Sequence, residues 1–449
     1  MWHKVAMGLR LMHDEDSIIE QSAVQKLLWN LLPMLCLLAM ANVLDRLDLS
    51  YAAPAMDPAL QLTAAELSHA ENAFTLGYML AALPAAALML LVGARRWICG
   101  IVVAWGVISM AHAVIWSDDS LYALRFLLGV AEANLMPAMV FYLAEWMPAR
   151  YRALPIACMV AAASLVPLLG EQGSNVLLHL PQWFGITDWR WLFLVEGVPA
   201  VWLGIHVLDV LPQTPPNASW LPHPERVWLM NHLHGEERLL TVGHFMDGLR
   251  KRSNWKLAGV RTVIGMAVGS LGLWLPLGMR QMGYLPPSAG ATIMAVASVV
   301  GALAAVVPGM PGFTRAWLRR SLAICLVAAG LALAGAATVS SATLAVLLLA
   351  LVAAICPAIL SLTWVLAPYL LAGAAAAAGF AVLGMAGSLG GYLAGVLGVL
   401  RHDASSRCVI LAVACFVAAW LARAMDGGQV SGAAVSTQPG GMTAAGRDH

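Results

Sequence analysis

Leu124 to Ala153, LRFLLGVAEANLMPAMVFYLAEWMPARYRA, is the stretch whose reading decides the fold. Its apolar residues suit a helix long enough to cross a bilayer, yet it carries an arginine and a glutamate inside. Arg125 and Glu132 are seven residues apart, two helical turns, so they project from one face. Leu127, Leu128, Val130, Met136, Val140 and Phe141 clothe the other faces. Arg150 and Arg152 follow Trp146 and Pro148 as a basic end of the cytoplasmic kind. A charge in hydrocarbon costs about 2.5–3.5 kcal/mol, so two on one face call for partners or a water-filled cavity. That face is expected to line a pathway.

Composition agrees. Hydrophobic residues make up 61% of the chain and charged residues 11%, against about 45–50% and 25% in soluble domains. The net charge of +1, without a basic stripe, excludes a nucleic-acid partner. Cys36, Cys99, Cys158, Cys325, Cys356, Cys408 and Cys415 stand singly in apolar runs without metal-ligand spacing. They read as packing residues, and no metal or cofactor is expected.

Residues 1–27 include Asp14, Glu15, Asp16 and Glu20 and lack the basic start and short apolar core of a cleaved signal, which makes them a cytoplasmic tail. A first span, 28–53, is interrupted by NVLDRLDLS, which sets Asp45 and Arg46 near the midplane. Further spans of roughly 20 residues at 70–92, 97–116, 120–146, 153–178 and 189–211 complete a first bundle over 28–211. The polar segment 212–256 is a cytoplasmic linker. Spans at 257–279, 287–310, 320–338, 341–366, 370–399 and 405–425 form a second bundle over 257–425. The tail 426–449, rich in Gly, Ser, Thr and Ala, is expected to be disordered. The predicted fold is an all-α membrane protein of twelve transmembrane helices in two six-helix halves.

Eighteen Lys and Arg fall in segments that this topology places inside, against Arg190, Arg280, Arg401 and Arg407 outside. That excess puts both termini and the linker in the cytoplasm. Arg95-Arg96 and Arg319-Arg320 take corresponding places in the two halves, the mark of a six-plus-six repeat.

The segments NVLDRLDLSYA, FTLGYMLAALP, RFLLGVAEANLMPAMVFYLAEWMPARYRA, DWRWLFLVEGVPAVWLG and LPQTPPNASWLPHPER resemble the anion:cation symporter family of the major facilitator superfamily. The resemblance runs from Leu28 to about Gly398. It implies proton-coupled uptake of an organic acid anion by a protein of the bacterial inner membrane. Residue by residue, it places the family's Asp-Arg pair on Asp45 and Arg46, its second arginine and proton-binding glutamate on Arg125 and Glu132, and its pocket tyrosine on Tyr78. Ser361 and Trp364 take the serine and tryptophan of the tenth helix. Three positions depart from the pattern. Ala82 stands for a pocket glutamine, Gly384 for an asparagine, and Leu90-Leu91 for an acidic gating motif. The two missing amides favour a less hydroxylated or aromatic carboxylate.

Physical reasoning converges with the resemblance. Asp45 and Arg46 are adjacent, so their side chains diverge by about 100° and each needs a partner elsewhere, which Arg125 and Glu132 supply. An arginine drawn toward a bound anion would release its carboxylate to take a proton. Asp45 and Glu132 are thus the proton-coupling candidates, and Arg46, Arg125, Tyr78, Ser361 and Trp364 the substrate-binding ones. Asp48 and Glu171 are possible additional acids, Asp48 in a solvated vestibule and Glu171 at a helix end. No charged residue occurs from Ser321 through Leu400, so the second half is expected to offer only dipoles and apolar surface. Gly387, Gly391 and Gly395 form a ladder for close helix packing.

An enzyme is disfavoured, since the histidines are dispersed. A transporter-derived sensor of an organic acid and an anion exchanger without proton coupling stay open beside the symporter. Its partners are a small organic acid anion, protons and the lipid bilayer, and the protein is expected to act as a monomer.

Overall fold

The computed structural model describes residues 2–60, 62–178, 187–234, 242–281, 287–371, 373–400 and 403–425, without the side chains of 2–17, Glu171 and some others. The tail expected over 426–449 lies outside the described residues. Among the described residues sixteen α-helices follow one another: α1 Trp2–Leu60, α2 Ala64–Val92, α3 Ala94–Ala111, α4 Asp118–Glu132, α5 Leu135–Trp146, α6 Ala153–Ser164, α7 Val166–Leu178, α8 Asp188–Val210, α9 His223–His234, α10 Val242–Arg250, α11 Arg252–Gln281, α12 Pro287–Val306, α13 Arg315–Thr338, α14 Ala342–Leu370, α15 Gly373–Leu400 and α16 Ala404–Arg423. Among the described residues ten stretches are long and apolar enough to cross a membrane, α4 with α5 and α6 with α7 each serving as one. Helices α11 and α12 take the seventh and eighth of the twelve positions. The fold is the twelve-helix all-α membrane fold.

Two features depart from the sequence reading. The first span is unbroken, since α1 runs helical through Asp45 and Arg46 and reaches back to Trp2, well into the expected tail. Polar residues do not themselves break a helix, and in NVLDRLDLS neither glycine nor proline intervenes. The interruption falls instead in the fourth span, between Glu132 at the end of α4 and Leu135 at the start of α5. There Pro137 has no N–H to offer the carbonyl four residues back.

Helices meet where glycine lets backbones touch. A Cβ on Gly77 of α2 would lie 2.2 Å from the Phe126 carbonyl oxygen, and one on Gly129 of α4 would lie 2.0 Å from that of Phe74, so α2 and α4 are locked at the depth of Tyr78 and Arg125. In the second half Gly265 of α11 and Gly390 of α15 make the corresponding approach. Gly387 and Gly391 of the expected ladder take part in it, while Gly395 faces open space.

At the linker end the halves are in contact. A Cβ on Gly309, just after α12, would sit 2.7 Å from Leu154 Cα and Ala157 Cβ of α6. Lys251 donates to the Leu370 carbonyl beneath α14, and Lys26 of α1 meets Glu225 of α9 at 2.7 Å. Exposed tryptophans, among them Trp29, Trp116, Trp202 and Trp420, ring the surface as interfacial residues do in membrane proteins. All seven cysteines are unpaired by disulfides.

Candidate functional site

The divergence expected of Asp45 and Arg46 is what organises the centre of the first half. Arg46 points toward α2 and α4: its Nε meets Glu132 Oε2 at 2.8 Å, and its guanidinium lies 5.2 Å from the Phe74 ring and 5.0 Å from the Tyr78 ring. Asn42, one turn earlier on α1, donates to the same Oε2 at 2.7 Å. The Glu132 side chain is fully buried, whereas that of Arg46 keeps 33% of its exposure, as a cavity-lining cation does.

Asp45 lies between this pair and a second group of acids. It approaches Glu132 on one side and lies within electrostatic reach of Asp48, Glu196 of α8 and His112 on the other. Asp48, read from the sequence as a vestibule residue in water, is instead fully buried. It comes within hydrogen-bond reach of Glu196, yet neither of its oxygens has a donor. Glu132, Asp45, Asp48 and Glu196 thus form a row of carboxyl groups crossing from α4 through α1 to α8. Along it, Glu132 Oε1, Asp45 Oδ2 and Glu196 Oε2 also lack donors. A recess of about 160 Å³ lined by Asp45, Trp105, Glu196 and Pro199 opens beside the row, room for several waters at roughly 30 Å³ each.

Arg125 is not Glu132's partner. Its Nη2 meets Glu71 Oε1 of α2 at 2.6 Å, joining an arginine with a 2% exposed side chain to a half-exposed acid. Phe74 lies beneath Arg46 and Arg125 alike, so the two guanidinium groups flank one ring. His112 stacks on Phe193 at 5.2 Å, is held by the Ile108 carbonyl at Nδ1, and leaves Nε2 without a partner.

From the second half, Ser361 does not reach this cluster: its hydroxyl donates to the Ala305 carbonyl at 2.6 Å and ties α14 to α12. Trp364 is buried, and over its ring, 5.9 Å from the centroid, lies the guanidinium of Arg261 on α11. Arg261 corrects the expectation of an uncharged second wall, for it is also within electrostatic reach of Tyr78 and Arg46. The side chain of Glu171 lies outside the described residues.

A charged centre between two helical halves, at the depth where the fourth span breaks, is the geometry of a carrier with a midplane site. The profile of the Major Facilitator Superfamily matches residues 35–427. The chain belongs to the major facilitator superfamily. Within the superfamily, a protein of Agrobacterium vitis provisionally named a tartrate transporter is 33% identical over 352 residues, 74% of this chain and 76% of its own. The inner membrane transport protein RhmT of Escherichia coli (strain K12) is 28% identical over 415 residues, 89% of this chain and 93% of its own. Among solved structures, the proton:xylose symporter XylE shares the fold with a TM-score of 0.68 at 14% identity, over 91% of this chain and 97% of that one. This superfamily member is a multi-pass membrane transporter and not an enzyme.

The departures noted in the sequence now have surroundings. A Cβ on Gly384 would lie 2.9 Å from the Tyr78 hydroxyl, so that hydroxyl occupies the space an asparagine would enter. Ala82 is fully buried in the core. Leu91 is exposed, and Arg95, beyond it, donates to the Leu208 carbonyl of α8.

Proposed function

We propose that this transporter takes up an organic carboxylate anion together with protons by alternating access, in the bacterial inner membrane, with both termini and the linker 212–256 in the cytoplasm. The bundles over 28–211 and 257–425 are the bodies that rock about the site, and the protein works as a monomer without a cofactor. The observation that carries this reading is the 2.8 Å contact of Arg46 with Glu132, set beside Asp45. An anion arriving at Arg46 competes with Glu132 for the guanidinium. As the cation turns to its new partner, Glu132 loses the charge that held it ionised and takes a proton, which Asp45 and the recess beside it are placed to deliver. Arg125 and Tyr78 complete the first-half wall, and Trp364 faces them.

Coupling to protons answers an electrical need, because an anion entering an inside-negative cell is opposed by about 2.3 kcal/mol per charge per 100 mV. The tartrate name of the Agrobacterium relative supports an organic acid as cargo. In proteoliposomes, carboxylate uptake should be concentrative when an inward pH gradient is imposed and should collapse when the gradient is dissipated. Carboxylate-for-carboxylate exchange indifferent to the gradient would favour the exchanger, and binding without flux the sensor.

A further inference from the structure

Among the described residues three arginines stand in the spans away from their ends, Arg46, Arg125 and Arg261, and two of them are paired with acids: Arg46 with Glu132 and Arg125 with Glu71. Arg261 of α11 makes no ion pair among the described residues, and its Nε is buried without a hydrogen-bond partner. The charged and titratable groups it senses are Tyr78 and Arg46, of which Arg46 is a second cation. From Ser321 through Leu400, covering most of α13 and all of α14 and α15, there is no charged residue to neutralise it. Its contact with Trp364 is weak beside the desolvation of the partly buried guanidinium. What the guanidinium lacks is an anion.

Its position says where that anion would sit. A Cβ on Gly387 would lie 2.9 Å from Arg261 Cζ, while one on Gly384 would lie 2.9 Å from the Tyr78 hydroxyl. Gly384 and Gly387 are three residues apart on α15, about 4.5 Å of helix rise. Tyr78 of the first half and Arg261 of the second therefore approach one face of α15 within a turn of each other, with Arg46 behind Tyr78 at 5.0 Å. A single carboxylate cannot give both Arg46 and Arg261 a bidentate partner, but two carboxylates on a short skeleton can.

We propose that Arg261 receives a second carboxylate while Arg46 holds the first, so that the transported anion is a short dicarboxylate held between the two halves. This rests on the organic-anion reading above and narrows it. Occupancy then ties α11 to α1 through the substrate, which gives the loaded carrier a reason to close that the empty one, with two facing cations, does not have.

The test uses the full chain purified in detergent, with malonate, succinate and glutarate each compared with its monoamide, near neutral pH, by calorimetry. The monoamide keeps the skeleton and removes one charge. At least one diacid should bind tenfold or more tighter than its monoamide, and in Arg261→Gln that ratio should fall toward one. Arg261→Lys, which keeps the charge without the planar fork, should retain part of the ratio and serves where the glutamine variant does not fold. Monoamides that bind wild type as tightly as the diacids would overturn the assignment, as would a ratio unchanged in folded Arg261→Gln. So would binding confined to monocarboxylates. If wild type bound no carboxylate of any kind, the organic-anion reading itself would fall.

Discussion

Arg46 Nε lies 2.8 Å from Glu132 Oε2, and the other oxygen of that carboxylate has no donor. Half of Glu132 is thus held by a cation and half is left open toward Asp45. Glu132→Gln keeps the shape, mimics the protonated state and releases Arg46. It should retain anion binding and exchange in proteoliposomes while losing accumulation driven by a pH gradient. Asp45→Asn should lose net uptake as well. Concentrative, pH-driven uptake in the double substitution would move the coupling to Asp48 and Glu196.

Arg125 is nearly inaccessible, while its partner Glu71 is half exposed. Removing one or the other therefore has unequal consequences. Glu71→Gln strands a buried cation, and the cost of breaking a buried pair, about 3–5 kcal/mol, should be reduced here because one partner already meets water. A lowered thermal midpoint with carboxylate binding retained is the expected outcome. Arg125→Ala should abolish carboxylate binding, measured by ligand-induced thermal shift. Full binding by a folded Arg125→Ala protein would assign this arginine to helix packing alone.

The Asp48–Glu196 contact brings together two groups that can only accept unless a proton lies between them. Asp48→Asn supplies a permanent N–H donor in the same shape. A hydrogen bond to a charged group contributes about 1.5–3 kcal/mol, so the thermal midpoint should stay level or rise by a few degrees. A steep fall would mean that Asp48 carries a negative charge which a neighbouring cation requires.

Closure at the linker end depends on Gly309, whose Cα face abuts Leu154 and Ala157. Gly309→Leu should wedge that end apart and raise cysteine labelling there, at the expense of labelling at the opposite end. Restoring the acidic motif by Leu90→Asp with Leu91→Arg should do the reverse and favour closure. If neither substitution changed the labelling pattern, the latch would have to lie in the packing of α6 against α14.

The spans, their grouping into halves and the convergence of Arg46 on Glu132 were legible in the sequence, because charges in apolar helices are few and must meet. Arg261 was legible by the same criterion. Of 25 Lys and Arg, eighteen fall in inner loops and four in outer ones, which leaves Arg46, Arg125 and one more in LAGVRTVIGM. It was missed because the second half was judged from residues 321–400 alone. The choice of Glu71 over Glu132 by Arg125 was not legible, since it depends on how closely Gly77 and Gly129 let α2 and α4 approach. The helix break was misplaced because the polarity of NVLDRLDLS was taken to interrupt a helix, which polar side chains do not do; the interruption falls at Ala133 and Asn134, just before Pro137.

α1 is helical without interruption from Lys26 to Arg46, Pro33 included. Lys26, clasped to Glu225 of α9, and Arg46, clasped to Glu132, stand twenty residues apart on it, about 30 Å. A tilt that swings Arg46 away from Glu132 is felt at the far tip as a tug on α9. Under the proposed mechanism, occupancy at the midplane would reach the segment that joins the two halves mechanically, with no diffusing signal between them.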